Sequence, residues 1–178
     1  ISQSDSGIMI SQPKYSLDLL ARFHMSDCKS SPTPFLSGIK LVSDCSSPLV
    51  DGTLYRQLVG SLIYLTHTRP DLSYAIGIVS RFMQEPHELH LKAAKRILHY
   101  VRGTHTDGIH YLGGTEIDLV GFTDSDWAGD LDHRKSTSGY SFTLGSGPVS
   151  WSSKKQNAIA ISSTEAEYRG AVNAATEA

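Results

Sequence analysis

The sequence predicts an α+β protein in which a helical segment is followed by a small antiparallel sheet and a further helix. Three observations lead there. From Asp51 to Gly103 apolar residues recur at helical spacing in three successive stretches. From Ile109 to Lys154 short alternating runs are separated by Gly-rich turns. After Ser162 a helix opens on Ser163-Thr164-Glu165-Ala166-Glu167-Tyr168.

The composition fits a soluble globular chain. Its 178 residues are 39% hydrophobic, enough for a core in one domain or two small ones. Sixteen basic against eighteen acidic residues give a formal charge of −2, so any electrostatic footprint for nucleic acid is local. Cys28 and Cys45 lack the spacing of a zinc site or a disulfide framework, and a reducing compartment is expected. No run approaches the ~20 apolar residues of a membrane span and no signal pattern opens the chain, so an intracellular, cytoplasmic or nuclear place is expected, with no membrane partner. The start at Ile1 without Met suggests a piece of a longer protein.

In chain order, Ile8-Met9-Ile10 reads as a strand, and Pro13 opens a helix through Leu17, Leu20 and Phe23. Ser26 to Asp51, with Pro32, Pro34, Gly38 and Pro48, has linker composition and little regular structure is expected. Leu54, Leu58, Leu62 and Leu65 mark a core helix despite Gly60. Thr68-Arg69-Pro70-Asp71 starts the next, which runs through Leu72, Ala75, Ile76, Val79 and Met83 until Pro86. The third, His87 to Arg102, carries Leu91, Ala94, Leu98 and Val101 on one side and a basic stripe of Lys92, Arg96, His99 and Arg102 on another. That stripe reads either as a solvated face or as a contact to a duplex backbone. His87 and His90 lack a third ligand at metal-binding spacing. Strands follow over Ile109–Leu112, Ile117–Asp124, Tyr140–Leu144 and Val149–Lys154, suggesting a three-stranded meander before the last helix. The resulting division is 1–50, 51–106 and 107–178.

Two carboxylates stand out. Strand alternation puts Val120, Phe122, Asp124 and Asp126 on one face, so an apolar row ends in acid. In the last helix, Glu167 shares a stripe with Ala171, Ala174 and Ala178, which points it inward toward Asp124, whereas Glu165 reads as a capping partner of Ser162. Asp130 and Asp132 read as solvated turn residues, and Asp126 remains ambiguous.

Here the sequence resembles a family. Gly121-Phe122-Thr123-Asp124-Ser125-Asp126-Trp127-Ala128-Gly129, Asp132-His133-Arg134-Lys135-Ser136-Thr137-Ser138-Gly139-Tyr140, Trp151-Ser152-Ser153-Lys154-Lys155-Gln156 and Ser162-Ser163-Thr164-Glu165-Ala166-Glu167-Tyr168 are similar, in that order, to the start of a copia-type retrotransposon RNase H domain. Gly7 to Gln12 resembles the end of the same family's reverse transcriptase palm. Tyr55-Arg56, Gly60 to Leu65, Thr68-Arg69-Pro70-Asp71 and His90 with Lys95 to Leu98 resemble the thumb and connection after it.

The resemblance implies a Pol polyprotein fragment, with a helical thumb/connection-like segment followed by an incomplete RNase H-like fold. It implies a two-metal nuclease site, with Mg²⁺ expected only where that site is complete, Asp124 and Glu167 as catalytic metal ligands and Asp126 as a further candidate. The family draws another Asp from a downstream Cys-Asp-Asn-Gln-Ser type stretch, so the fragment alone is expected to be inactive. Expected nucleic-acid contacts are Lys92, Arg96 and Arg102 of the stripe, with Arg134, Lys135, Ser136, Thr137 and Ser138, and Lys154 and Lys155 adding charge. The expected partner is an RNA–DNA hybrid, weakly bound. The alternative is a retrotransposon-derived module that binds a protein through its helical segment or an exposed sheet edge.

Overall fold

The computed structural model describes residues 1–114 and 116–178, which form two compact units. One comprises Ser11–Gly108; the other joins Ile1–Ile10 to Ile109–Ala178. Residues 1–50, which the sequence suggests as one block, are thus divided between them.

The first unit is helical. Pro13 starts α1 (Pro13–Arg22), where its missing N–H costs no helical hydrogen bond. Leu19 and Leu20 are its buried apolar residues while Leu17 is exposed, so the inward face is rotated from the expected Leu17/Leu20/Phe23 line. Asp51 caps α2 (Gly52–Leu65), its Oδ1 accepting from Thr53 N at 2.7 Å and Leu54 N at 3.3 Å. Tyr55, Leu58, Val59, Leu62 and Leu65 are buried in α2, and the Tyr55 hydroxyl donates to Val79 O at 2.7 Å.

The stretch expected as one helix after Thr68 is broken. A turn of 3-10 helix (Pro70–Leu72) leads into α3 (Ser73–Val79), and a second such turn (Ser80–Phe82) ends it. The fourth helix, α4 (Glu88–Gly103), lays His90, Ala94, Ile97, Leu98 and Val101 into the same core as α1, α2 and α3. His90 is structural: it stacks on Phe82 at 3.9 Å, its Nδ1 accepts from His87 N, and its Nε2 meets Val42 O at 2.9 Å. Arg69 is only 3% exposed, and its guanidinium donates to both oxygens of Asp71 and to Thr104 O and Oγ1.

The second unit holds two sheets. One has the order β1–β2–β3, from β1 (Ser2–Ser4), β2 (Gly7–Ser11) and β3 (Gly108–Leu112). Gly7, at φ +143°, lies where a Cβ would stand 2.0 Å from Tyr111 O, so no side chain fits there. The other is the expected antiparallel meander of β4 (Leu119–Ser125), β5 (Thr137–Leu144) and β6 (Gly147–Lys155). The chain then enters α5 (Ser163–Glu177).

Candidate functional site

The candidate site is built where α5 lies on β4 and β5. Asp124 pairs with Gly139 and Ser125 with Ser138 across the ladder. Thr123 and Ser125 face the helix, for a Cβ on Gly170 would stand 2.3 Å from Ser125 Oγ and 3.5 Å from Thr123 Oγ1. A buried relay ties the two elements. Ser125 Oγ donates to Ser138 Oγ at 2.8 Å, while Gln156 Nε2 donates to Ser138 Oγ at 2.7 Å and to Ala166 O at 2.9 Å. The relay joins the residue after Asp124 to the residue before Glu167.

The faces differ from the expectation. The buried stripe of α5 is Ala166, Gly170 and Ala174, which leaves Glu167 exposed instead of inward. Because Thr123 and Ser125 take the helix side, alternation places Asp124 with Val120 and Phe122 on the other face. That apolar row is exposed, Phe122 by 61%. The physical reason is size: hydroxyls and a glycine allow close helix docking, which Phe122 would prevent. Among the described residues, neither the Asp124 nor the Glu167 carboxylate has a hydrogen-bond or ion-pair partner.

The other acids are occupied. Glu165 is a cap, as its position suggests: Ser162 Oγ accepts from Glu165 N at 3.1 Å, and Glu165 Oε2 accepts from Ile161 N at 2.9 Å. Its Oε1 takes Arg169 Nε at 3.0 Å and Nη2 at 2.7 Å. The Ile161 N–H, and then Arg169, hold its carboxyl below the ordinary value of 4.5. Asp126 Oδ1 accepts from Thr137 N at 2.7 Å, and Gly129 packs so close that a Cβ there would meet Asp126 Oδ2 at 2.2 Å. Asp130 corrects the solvated-loop reading: it is buried, with Lys155 Nζ at 3.0 Å and His133 Nδ1 at 3.2 Å from its Oδ2. Asp132 is exposed as expected, and with Asp130 and His133 it forms a cluster of ligand-type groups whose atoms lie within 4.8 Å.

The comparisons with known proteins bear on this arrangement. The chain is 49% identical over 172 residues to the retrovirus-related Pol polyprotein from transposon RE1 of Arabidopsis thaliana, covering 97% of this chain and 12% of that protein. It is 41% identical over 178 residues to the uncharacterized mitochondrial protein AtMg00810 of the same plant, covering 99% and 73%. It is also 47% identical over 125 residues to the secreted RxLR effector protein 161 of Plasmopara viticola, covering 70% and 88%. The chain belongs to the copia-type retrotransposon Pol family. It spans about an eighth of the RE1 polyprotein's length. No family model and no solved structure matches it.

In this Pol-family chain the basic stripe of α4 is engaged in part by the chain itself. Arg102 Nε donates to Ser26 O at 2.7 Å, His99 Nδ1 lies 2.6 Å from Lys29 O, and Arg96 Nη2 donates to Thr33 Oγ1 at 2.9 Å. Ser31 N donates to His99 O at 3.1 Å, so residues 26–33 form a strap along the stripe. Orphan carbonyls of an irregular segment need donors, and this face supplies them. Lys92 stays exposed and pairs with Glu88 at 2.9 Å.

Ser136, Thr137 and Ser138, the expected phosphate contacts, are buried. Ser136 Oγ accepts from Ala128 N at 3.2 Å, and Ser138 belongs to the relay. Arg134 is exposed at φ +56°, and Lys154 is exposed beside Gln156. Sequence reasoning missed Gly170 and Gln156, which dock the helix. A glycine inside a helical pattern was the available signal for the first; Gln156 closes the Trp151–Gln156 motif of the resemblance, which gave it no role.

Proposed function

We propose that residues 109–178 supply part of a two-metal site that hydrolyses the RNA strand of an RNA–DNA hybrid, as one segment of a larger reverse transcriptase/RNase H polyprotein. The observation that carries this is a selection among acids. Among the described residues Asp124 and Glu167 are left unpartnered, each next in sequence to an end of the buried relay at Ser125 and Ala166, while Asp126, Asp130 and Glu165 are tied into the fold.

Unpartnered carboxylates are the hard oxygen ligands that Mg²⁺ takes, so the donor chemistry fits the ion. When bound, the ions supply a nucleophilic water and neutralise charge at the leaving oxygen. Within this chain Asp124 and Glu167 would hold them, each borne by one of the two elements that the relay ties together, and Arg134, Lys135 and Lys154 would attract the phosphate backbone. Two carboxylates offer too few oxygens for two six-coordinate ions, so another carboxylate completes the site. The polymerase reaction of the parent polyprotein lies outside these residues' chemistry.

The test is gel-resolved cleavage of a labelled hybrid by residues 1–178 and by a longer chain that adds the family's downstream acid. Mg²⁺-dependent cleavage by the longer chain alone, lost on Asp124→Asn or Glu167→Gln, is expected. Undiminished cleavage in both variants overturns the assignment.

The exposed edge strand β4, with Leu119, Val120 and Phe122 open, supports a second reading as a protein-binding module. Pull-down lost on Phe122→Lys without loss of fold separates it from the nuclease reading.

A further inference from the structure

We propose that Thr33 is a phosphorylation site, modified by a proline-directed protein kinase, and that its phosphate docks on the open fork of Arg96. The inference concerns the helical unit and is independent of the nuclease reading.

Arg96 presents half of a filled fork. Its Nη2 donates to Thr33 Oγ1 at 2.9 Å, while its Nε is buried with no hydrogen-bond partner. Nε and Nη2 are the two donors on one edge of a guanidinium, the edge that grips planar or tetrahedral anions. Arg169 shows the same edge filled, with both atoms on Glu165 Oε1. A cationic donor buried without an acceptor is costly, and the hydroxyl of Thr33 provides only one oxygen. A phosphate on that oxygen brings three further acceptors and a charge of about −1.5 to −2 to the edge where they are lacking.

The residue is placed for modification. Thr33 is exposed, sits in an irregular segment and precedes Pro34, the pattern a proline-directed kinase reads. Ser31 also precedes a proline, but it is half-buried, with its N–H on His99 O and its hydroxyl on Thr33 O at 3.1 Å. Asp71 lines a groove with Thr33, and both its oxygens already accept from Arg69, so repulsion of a phosphate there is small.

The transfer is an ordinary displacement. Thr33 Oγ1 attacks the γ-phosphorus of ATP, the bond to the β,γ-bridging oxygen breaks, ADP leaves with that electron pair, and the hydroxyl proton passes to the kinase's carboxylate base. The product adds a charge-assisted tie between the strap and α4.

The experiment incubates the full chain with ATP and a proline-directed kinase, maps phosphate by mass spectrometry and compares Tm before and after. Phosphate on Thr33, none in Thr33→Ala, and a Tm gain of roughly 2–4 °C that disappears in Arg96→Lys are expected. Modification of Ser31 instead, no incorporation into the folded chain, or an equal gain in Arg96→Lys overturns the proposal. If Arg96→Lys does not fold, a phosphorus NMR titration of the parent decides. A phosphate midpoint below that of a phosphorylated 29–37 peptide supports the docking, and an equal midpoint overturns it.

Discussion

Gly170 of α5 and Ser125 of β4 approach so closely that a Cβ on Gly170 would stand 2.3 Å from the Ser125 hydroxyl. That hydroxyl is buried and donates to Ser138, so it cannot swing away without losing a hydrogen bond. Gly170→Ala gains about 1 kcal/mol of helix propensity but costs about 1–3 kcal/mol in overpacking and a broken relay. A net loss of stability is expected. Both tryptophans, Trp127 and Trp151, lie in the same unit, so denaturant unfolding followed by their fluorescence reads it directly. Gly170→Ala with Ser125→Ala should recover most of the loss; a double variant no better than the single one removes this account.

The docking shows where sequence reasoning stops. Strand alternation and the meander were legible because turn glycines and period two are local signals. The side of the sheet that α5 would cover was not. Hydrophobicity pointed to Val120 and Phe122, whereas the helix took the face of Thr123, Ser125 and Ser138, where small groups permit close approach. The basic stripe of α4 was legible as a stripe, but its partner was the chain's own strap, a long-range pairing that no local pattern encodes.

The Arg69 cluster makes a prediction for the helical unit. A buried guanidinium bonded to Asp71 and Thr104 leaves unsatisfied polar groups when truncated. Arg69→Ala should cost about 3–5 kcal/mol. Arg69→Lys should recover only part, since an ammonium cannot span Asp71 and Thr104 together. Loss of helical circular dichroism on urea titration measures both. A Lys variant as stable as the parent would refute the role of the fork.

Glu165 sets an acid limb. Its folded carboxyl titrates below 4.5, so its contribution is complete above the unfolded-state value and is lost as pH falls through the lower folded value. Glu165→Gln should therefore be less stable than the parent at neutral pH, with the gap closing below about pH 4.5. Tryptophan-monitored stability from pH 2 to 7 is the measurement, and a gap unchanged with pH contradicts the cap and ion pair described here.

The acids of the candidate site separate by stability before any activity is measured. Asp126 accepts from Thr137 N and supports the Gly129 turn, so Asp126→Ala should cost about 1.5–3 kcal/mol by removing a hydrogen bond to a charged group. Asp124 and Glu167 are exposed and unpartnered, so Asp124→Asn and Glu167→Gln should lie within about 0.5 kcal/mol of the parent. A residue retained for ligand binding gives up nothing in the empty fold when neutralised, whereas a structural acid does. In the longer chain that adds the downstream acid, Mg²⁺ should then raise the stability of the parent sequence and of neither its Asp124→Asn nor its Glu167→Gln form, because only binding to the folded state shifts the equilibrium. Unfolding midpoints with and without Mg²⁺ for all four proteins give the answer. A large loss in Asp124→Asn with no Mg²⁺ effect in the longer chain would make Asp124 a structural residue and move the search for the metal ligands to the Asp130, Asp132 and His133 cluster.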